Sequence, residues 1–300
     1  MADQIKTMNV WQRWMLAIRP KTLPAAAAGV VAGCGVAFTL EQFHIGAALA
    51  ALCGALLIQV GANLVNDVAD FYRGADTKAR LGPTRVTHTG LLSAGQVWSG
   101  VVIVFALAGL AGVYMTFVAG WPVIVIGLAS ILAAIAYTAG PCPLAYIGLG
   151  DLFVMIFFGF IAVCGTVFVV GGRVPESAWW VAVAVGALTV NILVVNNIRD
   201  IETDRKAGRK NIPVVLGRKA AEWEFALMLA LAFLVPLLLI VRDLASCWVL
   251  LTLLSLPRGL KLWKMLHSGL EGPPLNDTLA NTAQMLLLYS VLLAIGFVIG

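Results

Sequence analysis

The chain has 300 residues, of which 61% are hydrophobic and only 12% charged, with a formal net charge of +5 and a mean hydropathy of +0.94. So little charge excludes a soluble globular protein, and so much apolar character excludes an intrinsically disordered chain. The apolar residues form long blocks without the alternation of a transmembrane β-barrel. We therefore predict an all-α polytopic membrane protein.

Apolar blocks of about 20 residues, the length that crosses a bilayer as a helix, predict nine transmembrane helices. In chain order they are 23–40, 45–66, 97–118, 121–138, 149–170, 177–197, 223–241, 244–263 and 280–299. The preceding segment, residues 1–22, carries Trp11, Arg13 and Trp14 and predicts a helix that lies at the membrane interface.

Basic residues are distributed unequally between the two sides of the predicted helices. All but two of the 20 Lys and Arg residues fall on one side, and the two exceptions are Arg173 and Arg242. By the positive-inside rule, the N-terminus is predicted to lie in the cytoplasm and the C-terminus outside.

The end of the second predicted span carries a first polar motif, in which one helix face gathers two amides and two acids. At 100° per residue, Asn63, Asn66, Asp67 and Asp70 fall within an arc of about 100°. The loop that follows adds one more acid and several basic residues, namely Asp76, Arg73, Lys78, Arg80 and Arg85.

A second motif lies at the end of the sixth predicted span. Helical spacing brings Asn197, Asp200 and Asp204 together near Asn196, whereas Glu202 points away from them. Arg199 and Lys210 supply basic groups beside these acids.

Acids clustered on one face at a membrane boundary repel one another and are costly to desolvate, which favours a neutralising cation. Carboxylate and amide oxygens suit Mg²⁺, and the neighbouring basic residues suit a polyanion such as a diphosphate. Each motif alone has a simpler interpretation as a polar helix end. The basic run 205–210 has one too, as an anchor to anionic lipid.

The two motifs occupy equivalent places in two blocks of four helices, which suggests an internal duplication. We treat residues 1–300 as one domain, with halves at 23–138 and 149–263 and a ninth helix at 280–299. If the halves pack face to face, the helices surround a central cavity with acids at its cytoplasmic mouth and apolar walls below. Such a cavity fits an amphiphile with a diphosphate head and a hydrocarbon tail.

The segments Asn66-Asp67-x-x-Asp70 and Asp200-x-x-x-Asp204 resemble the motifs of the UbiA superfamily of intramembrane aromatic prenyltransferases. The stretches 19–24, 81–90, 137–141, 148–151 and 196–200 are similar to its dihydroxynaphthoate branch. The resemblance implies transfer of a polyprenyl group from polyprenyl diphosphate to 1,4-dihydroxy-2-naphthoate, with decarboxylation, in the cell inner membrane. It covers about two thirds of the chain, and the last three spans are generic apolar helices.

The resemblance also implies roles for individual residues. Asp67, Asp70, Asp76, Asp200 and Asp204 would hold Mg²⁺ ions, with Asn66 as a further metal ligand and Asn197 as a ligand or orienting group. Binding of the diphosphate substrate is expected to involve the neighbouring polar residues, namely Asn63, Asn66, Arg73, Lys78, Arg80, Arg85, Tyr137, Asn196, Asn197, Arg199 and Lys210. Ring faces of Phe71, Tyr72 or Tyr137 would stabilise the allylic cation.

The sequence departs from the superfamily pattern at three places. Gly74 replaces an acid, the loop after Tyr137 lacks a lysine, and Lys210-Asn211-Ile212 replaces a Lys-Thr-aliphatic run. Asp151 has an alternative role as a helix N-terminal acid, Tyr146 belongs to the site or to the interfacial aromatic belt, and His88 is expected in solvent.

Other membrane-protein functions require different sequence features. A CDP-alcohol phosphotransferase would need a compact Asp-Gly-x-x-Ala-Arg run, which is absent from the sequence. A secondary transporter would place its acids near the bilayer midplane. Within the superfamily, acceptors of the 4-hydroxybenzoate or homogentisate class are the alternative. The lipid bilayer is an expected partner and nucleic acid is not.

Overall fold

The computed structural model describes residues 8–74, 81–140 and 143–300, and for Ala145 its backbone alone. Asp76, Lys78 and Arg80 of the first motif therefore lie outside the described residues. Within those ranges every regular element is helical. The principal helices are α1 Val10–Ile18, α2 Leu23–Phe38, α3 Ile45–Arg73, α4 Ala94–Ala119, α5 Pro122–Ala136, α6 Gly150–Gly171, α7 Glu176–Arg199, α8 Ile201–Lys206, α9 Ile212–Val215, α10 Arg218–Val241, α11 Leu256–His267 and α12 Pro274–Ile299.

In the described part of the chain, 7 helical segments are long and apolar enough to cross a membrane. One of them joins α1 and α2, and the others are α3, α4, α6, α7, α10 and α12. The fourth predicted span is the shorter helix α5, of 15 residues. The eighth begins as a 3₁₀ segment, Cys247–Ser255, and continues as α11. The polytopic helical prediction is confirmed, whereas the count of nine spans stays a prediction.

Helix α3 extends beyond the predicted span and carries the whole first motif on one helix. It ends at Gly74, whose φ of 63° is the left-handed conformation that closes many helices. At the second motif, α7 instead ends at Asp200 and α8 begins at Ile201. The second motif therefore spans a break between two helices.

Helix α7 is the most buried of the membrane-length helices and α4 is among the most exposed. Helix α7 packs against α6, whose middle segment Met155–Ile161 is a π-helix. A Cβ added at Gly159 would lie 2.6 Å from the carbonyl oxygen of Ala182 and 2.9 Å from Cα of Gly186. Close approach of helices through small residues is typical of membrane proteins.

The described part of the loop after the first motif packs on the end of α3. Val86, Leu91 and Leu92 are buried there in one apolar cluster with Leu64 and Val68 of α3. A Ser93 capping box with Gln96 then starts α4. Because apolar side chains bury this loop, its polar groups are held against the first motif.

Candidate active site

A cavity of about 750 Å³ lies between α2, α3, α4, α5, α6 and α7. Its walls are mostly apolar and include Ala55, Ile131 and Phe157, and its polar groups include Asn63, Asn66 and Asn196. Asn66 and Asn196 precede Asp70 and Asp200 by one helical turn. The cavity therefore ends one turn from the acidic residues of both motifs.

Asp67 is buried and its carboxylate binds the loop that follows its own helix. Oδ2 accepts a hydrogen bond from the backbone N–H of Val86 at 3.1 Å, and Oδ1 accepts one from Thr87 at 3.0 Å. Hydrogen bonds to an ionised carboxylate are stronger than those between neutral groups. Asp67 thus fixes the loop that carries Arg85.

Asp70 is buried one helical turn further along α3, where it forms an ion pair with the buried guanidinium of Arg85 through Oδ2. Its other oxygen, Oδ1, is buried without a hydrogen-bond partner among the residues that the structure describes. A buried acceptor without a hydrogen bond is rare and costly, so this oxygen is available to a ligand.

In the second motif, Asp200 is held by its neighbour Arg199. The guanidinium donates to Asp200 Oδ1 at 2.9 Å and Oδ2 at 2.6 Å, and also to Asn196 Oδ1 at 2.7 Å. It further donates to Asn276 Oδ1 at 2.9 Å, and Asn276 donates to the carbonyl oxygen of Leu81 at 2.8 Å. This chain of hydrogen bonds connects the second motif, α12 and the loop of the first motif.

Asp204 is buried and has two partners on the turn after α8. Asn211 donates to its Oδ2 at 2.7 Å, and Arg209 lies 3.2 Å from its Oδ1. Burial raises the pKa of Asp204 above its ordinary value, and the charge of Arg209 opposes this shift. Burial also lowers the pKa of Arg209, but the negative charge of Asp204, together with the interactions with Tyr146 and Asp70, outweighs it, so that its net pKa lies above the ordinary value.

Arg209 brings the two motifs together. Besides Asp204, its guanidinium lies 3.9 Å from Oδ1 of Asp70. It stacks over the ring of Tyr146, with Cζ 4.6 Å from the ring centroid, and Arg73 lies 5.5 Å from the same centroid. Acids that are distant in sequence therefore share one cationic side chain.

The other predicted site residues have hydrogen-bond partners of their own or line the cavity. Asn66 accepts a hydrogen bond from the Thr138 hydroxyl, and Arg73 donates to the Thr138 carbonyl oxygen. Asn63 instead donates to Ile18 O and Thr22 Oγ1, at 2.9 and 3.0 Å, and so holds the start of α2. Tyr137 lines the cavity.

Other predicted residues lie outside the cavity wall. Asn197 is buried in α7, the Lys210 side chain is exposed, and Glu202 is exposed and pairs with Arg205, as the helical spacing predicts. Phe71 and Tyr72 pack edge to face against each other at 5.6 Å and are exposed, so they do not line the cavity. His88 is exposed, as expected. Asp151 lies in the first turn of α6, and its Oδ1 is buried with no hydrogen-bond partner in the described part of the chain.

The side-chain atoms of the acids and amides that could coordinate a metal are oxygen atoms, which are the ligands that Mg²⁺ prefers. Across residues 8–74, 81–140 and 143–300, no group of at least 3 His, Cys, Asp or Glu residues is close enough to form a ready metal site. The acids are instead held by Arg85, Arg199 and Arg209. A metal would fit with the oxygen donors present, using the unbonded Oδ1 of Asp70, provided that the arginines yield some of their contacts.

A helical membrane fold with ion-paired acids above an apolar cavity defines a class of protein that can accommodate an amphiphile with an anionic head. The chain belongs to the UbiA prenyltransferase family, whose model matches residues 22–269. The family prediction, and with it an enzyme of the prenyltransferase class, is confirmed, and the protein is an integral membrane protein.

Relatives with assigned functions match nearly the whole chain. The 1,4-dihydroxy-2-naphthoate octaprenyltransferase of Mycobacterium tuberculosis is 34% identical over 287 residues, covering 96% of this chain and 97% of the relative. The enzyme of the same name from Escherichia coli is 32% identical over 291 residues, covering 95% and 94%. A UbiA homolog from Archaeoglobus fulgidus bound to DMAPP and Mg²⁺ has a TM-score of 0.66 at 17% identity, covering 94% and 99%, and supports the fold.

Sequence reasoning missed several residues that build the site. Arg209 was not singled out, nor were Thr138, Asn211 and Asn276, which bind Asn66, Asp204 and Arg199. The only sequence signal for Arg209 was its position in the basic run 205–210. Its contact with Asp70 depends on how α3 and α8 pack, which the sequence pattern does not show.

Proposed function

We propose that the protein transfers a polyprenyl group from polyprenyl diphosphate to 1,4-dihydroxy-2-naphthoate and releases diphosphate. The acceptor loses its carboxyl group as CO₂, and the product is the hydroquinone form of demethylmenaquinone, demethylmenaquinol. The convergence of Asp70 and Asp204 on Arg209, above an apolar cavity, carries this proposal. The names of the Mycobacterium tuberculosis and Escherichia coli relatives support the choice of acceptor.

The residues present fit a requirement for Mg²⁺. Asp70 and Asp204, with Asp67, Asp200 and Asn66 nearby, would hold the metal, and Asp76 is a further proposed ligand outside the described residues. When bound, the metal stabilises the negative charge that develops on the leaving diphosphate. The Archaeoglobus fulgidus homolog, which binds DMAPP and Mg²⁺, supports this assignment.

The protein's own side chains bind and separate the two parts of the substrate. The guanidinium groups of Arg73 and Arg209 lie beside the acids and are suited to diphosphate oxygens. The apolar cavity takes the prenyl tail and keeps water from the allylic cation. The ring of Tyr137 lies in the cavity wall near Asn66 and Asn196, where an aromatic face stabilises positive charge.

The acceptor ring attacks the allylic carbon. The bond between the ring and its carboxylate then breaks, CO₂ leaves, and the electrons of that bond restore the aromatic ring. This step needs no strong protein base. We further propose that the protein lies in the cell inner membrane with the site facing the cytoplasm, since the basic residues concentrate on that side.

The proposal is tested with purified protein, Mg²⁺, a polyprenyl diphosphate and an acceptor panel of 1,4-dihydroxy-2-naphthoate, 4-hydroxybenzoate and homogentisate. Mass spectrometry should detect prenylated product from the naphthoate, and ¹³C in its carboxyl group should appear as CO₂. EDTA should stop the reaction and added Mg²⁺ should restore it. Product that keeps the label, or activity on 4-hydroxybenzoate alone, would contradict the assignment.

A further inference from the structure

Arg209 lies on the turn between α8 and α9, directly after Gly208, whose φ is 74°. Among the residues that the structure describes, no other basic side chain has ion pairs with acids of both motifs. Arg85 pairs with Asp70 and Arg199 with Asp200, each within its own motif. Arg209 is therefore the electrostatic connection between the two motifs.

The contacts of Arg209 leave hydrogen bonds unmade. Among the described residues, its Nε is buried and has no hydrogen-bond partner, and Oδ1 of Asp70, 3.9 Å from its guanidinium, has none either. Buried polar groups are normally paired, and leaving one unpaired is costly. The guanidinium thus lies near Oδ1 of Asp70 without donating a hydrogen bond to it, as expected of a site that is completed by a ligand.

An aromatic ring supports the guanidinium of Arg209 beside the acids. The ring of Tyr146 lies under Arg209 at 4.6 Å and is shared with Arg73 at 5.5 Å. The backbone holds this ring in place, because the N–H of Lys210 donates to the carbonyl oxygen of Tyr146 at 3.1 Å. Stacking on an aromatic face stabilises a guanidinium that leaves a carboxylate.

We propose that Arg209 is a positioning residue that takes the place of a divalent cation between Asp70 and Asp204 in the metal-free protein. It leaves these acids when metal binds and then holds the diphosphate. This inference rests on the proposed function. Two buried carboxylates need a cation between them, and Mg²⁺ requires oxygen ligands at about 2.1 Å, which leaves no space for a guanidinium at the same two oxygens.

The test is the apparent Tm of the purified full-length protein in EDTA, in Mg²⁺, and in Mg²⁺ with inorganic pyrophosphate. In EDTA, Arg209→Gln should lower the Tm by about 5 °C or more, because two buried acids lose their shared cation. Mg²⁺ should then raise the Tm of Arg209→Gln more than that of the wild type, where the metal must displace the guanidinium. Pyrophosphate added to Mg²⁺ should raise the Tm of the wild type more than that of Arg209→Gln, because only the wild type has the guanidinium that holds the diphosphate.

Arg205→Gln is the matched control, because Arg205 is exposed and pairs only with Glu202 in the described residues. Its Tm should follow the wild type in all three conditions. Arg209→Lys keeps the charge but not the two-sided reach of a guanidinium, and its Mg²⁺ response should lie between those of wild type and Arg209→Gln. If Arg209→Gln does not fold, Arg209→Lys is compared with the wild type instead. A larger Mg²⁺ response of its Tm supports the inference, and an equal response overturns it.

An unchanged Tm of Arg209→Gln in EDTA would overturn the inference. A low Tm that Mg²⁺ does not raise beyond the wild-type increment would also overturn it, because Arg209 would then have a purely structural role. If the wild type transfers the prenyl group but the variants do not show this Tm pattern, the inference about Arg209 is refuted and the proposed function stands. If the variants show the Tm pattern but the wild type transfers no prenyl group to any acceptor, the proposed function is refuted and the inference about Arg209 stands.

Discussion

Three arginines neutralise the buried acids of the site, and they differ in how far along the chain their partners lie. Arg199 holds its direct neighbour Asp200, and Arg85 holds Asp70 from 15 residues away. Arg209 reaches Asp70 from the other half of the molecule. The sequence identified the acids and the first two arginines, because both motifs concentrate charge at the ends of apolar segments. It could not identify Arg209, because that contact exists only after the halves pack.

At the residue scale, Asp204→Asn should lower kcat at least about 100-fold, since the amide keeps the shape but not the charge that stabilises the reaction. The protein should remain folded, because asparagine has the same shape and its side-chain oxygen can still accept the hydrogen bond that Asn211 donates at this position. Turnover measured beside a thermal unfolding curve separates the two effects.

Glu202→Gln is the control for this change, because Glu202 lies on the same short helix but is exposed and pairs with Arg205. Its turnover should equal that of the wild type. Asp204→Asn activity within tenfold of the wild type would remove Asp204 from the site.

At the scale of elements, two local irregularities position the site. The π-helical segment of α6 lies where Gly159 packs against Ala182 and Gly186 of α7. The break at Asp200 then lets α8 carry Asp204 toward Arg209 and Asn211. Hydropathy located both helices but indicated neither irregularity, because a π-turn and a one-residue break leave the apolar pattern intact.

Gly159→Ala should destabilise the contact between α6 and α7. The new methyl group would lie 2.6 Å from the carbonyl oxygen of Ala182, which is backbone and cannot rotate away. Overpacking of this kind costs about 1–3 kcal/mol, so the Tm should fall by several degrees.

Gly127→Ala on α5 serves as the matched control, since a Cβ there meets nothing within 4 Å. Alanine also favours the helix over glycine, so the Tm should stay constant or rise slightly. Equal losses in both variants would show that close packing at Gly159 does not limit stability.

At the scale of the whole molecule, the cavity extends along the full length of α5, from Val123 to Ala134 and Tyr137. An α-helix rises 1.5 Å per residue, so this wall is about 20 Å long. A space of that length, which ends one helical turn from the acids of both motifs, can separate a polar head from an apolar tail. The size of the prenyl group that it accepts should therefore depend on side chains far from the acids.

Gly165→Phe should discriminate against long prenyl diphosphates. Gly165 lines the cavity about 22 Å along α6 from Gly150, and a Cβ there has Ile126 as its nearest neighbour, at 3.9 Å. The kcat/KM for an octaprenyl diphosphate should fall at least tenfold more than that for geranyl diphosphate. Leu107→Phe, at an exposed position outside the cavity, is the control. Equal losses for both substrates would show that the tail does not pass Gly165.

The predicted topology concerns the whole molecule too. A reporter enzyme that is active only outside the cytoplasm should be active when fused after Gly300. It should be inactive when inserted after Gly269, between α11 and α12, because the basic residues assign that turn to the cytoplasmic side. The reverse pattern would invert the orientation and place the site outside.

The sequence by itself determined that the protein is helical and that it enters the membrane, and it predicts which acids carry the chemistry. These properties follow from local patterns, since a bilayer forces backbone hydrogen bonds into helices and helical spacing places Asp67 and Asp70 on one face. Only the tertiary structure decided that Asp67 binds the backbone of its own loop, that Arg209 joins Asp70 to Asp204, and that α5 is short. These features depend on contacts between segments far apart in sequence, and such contacts form only when helices pack.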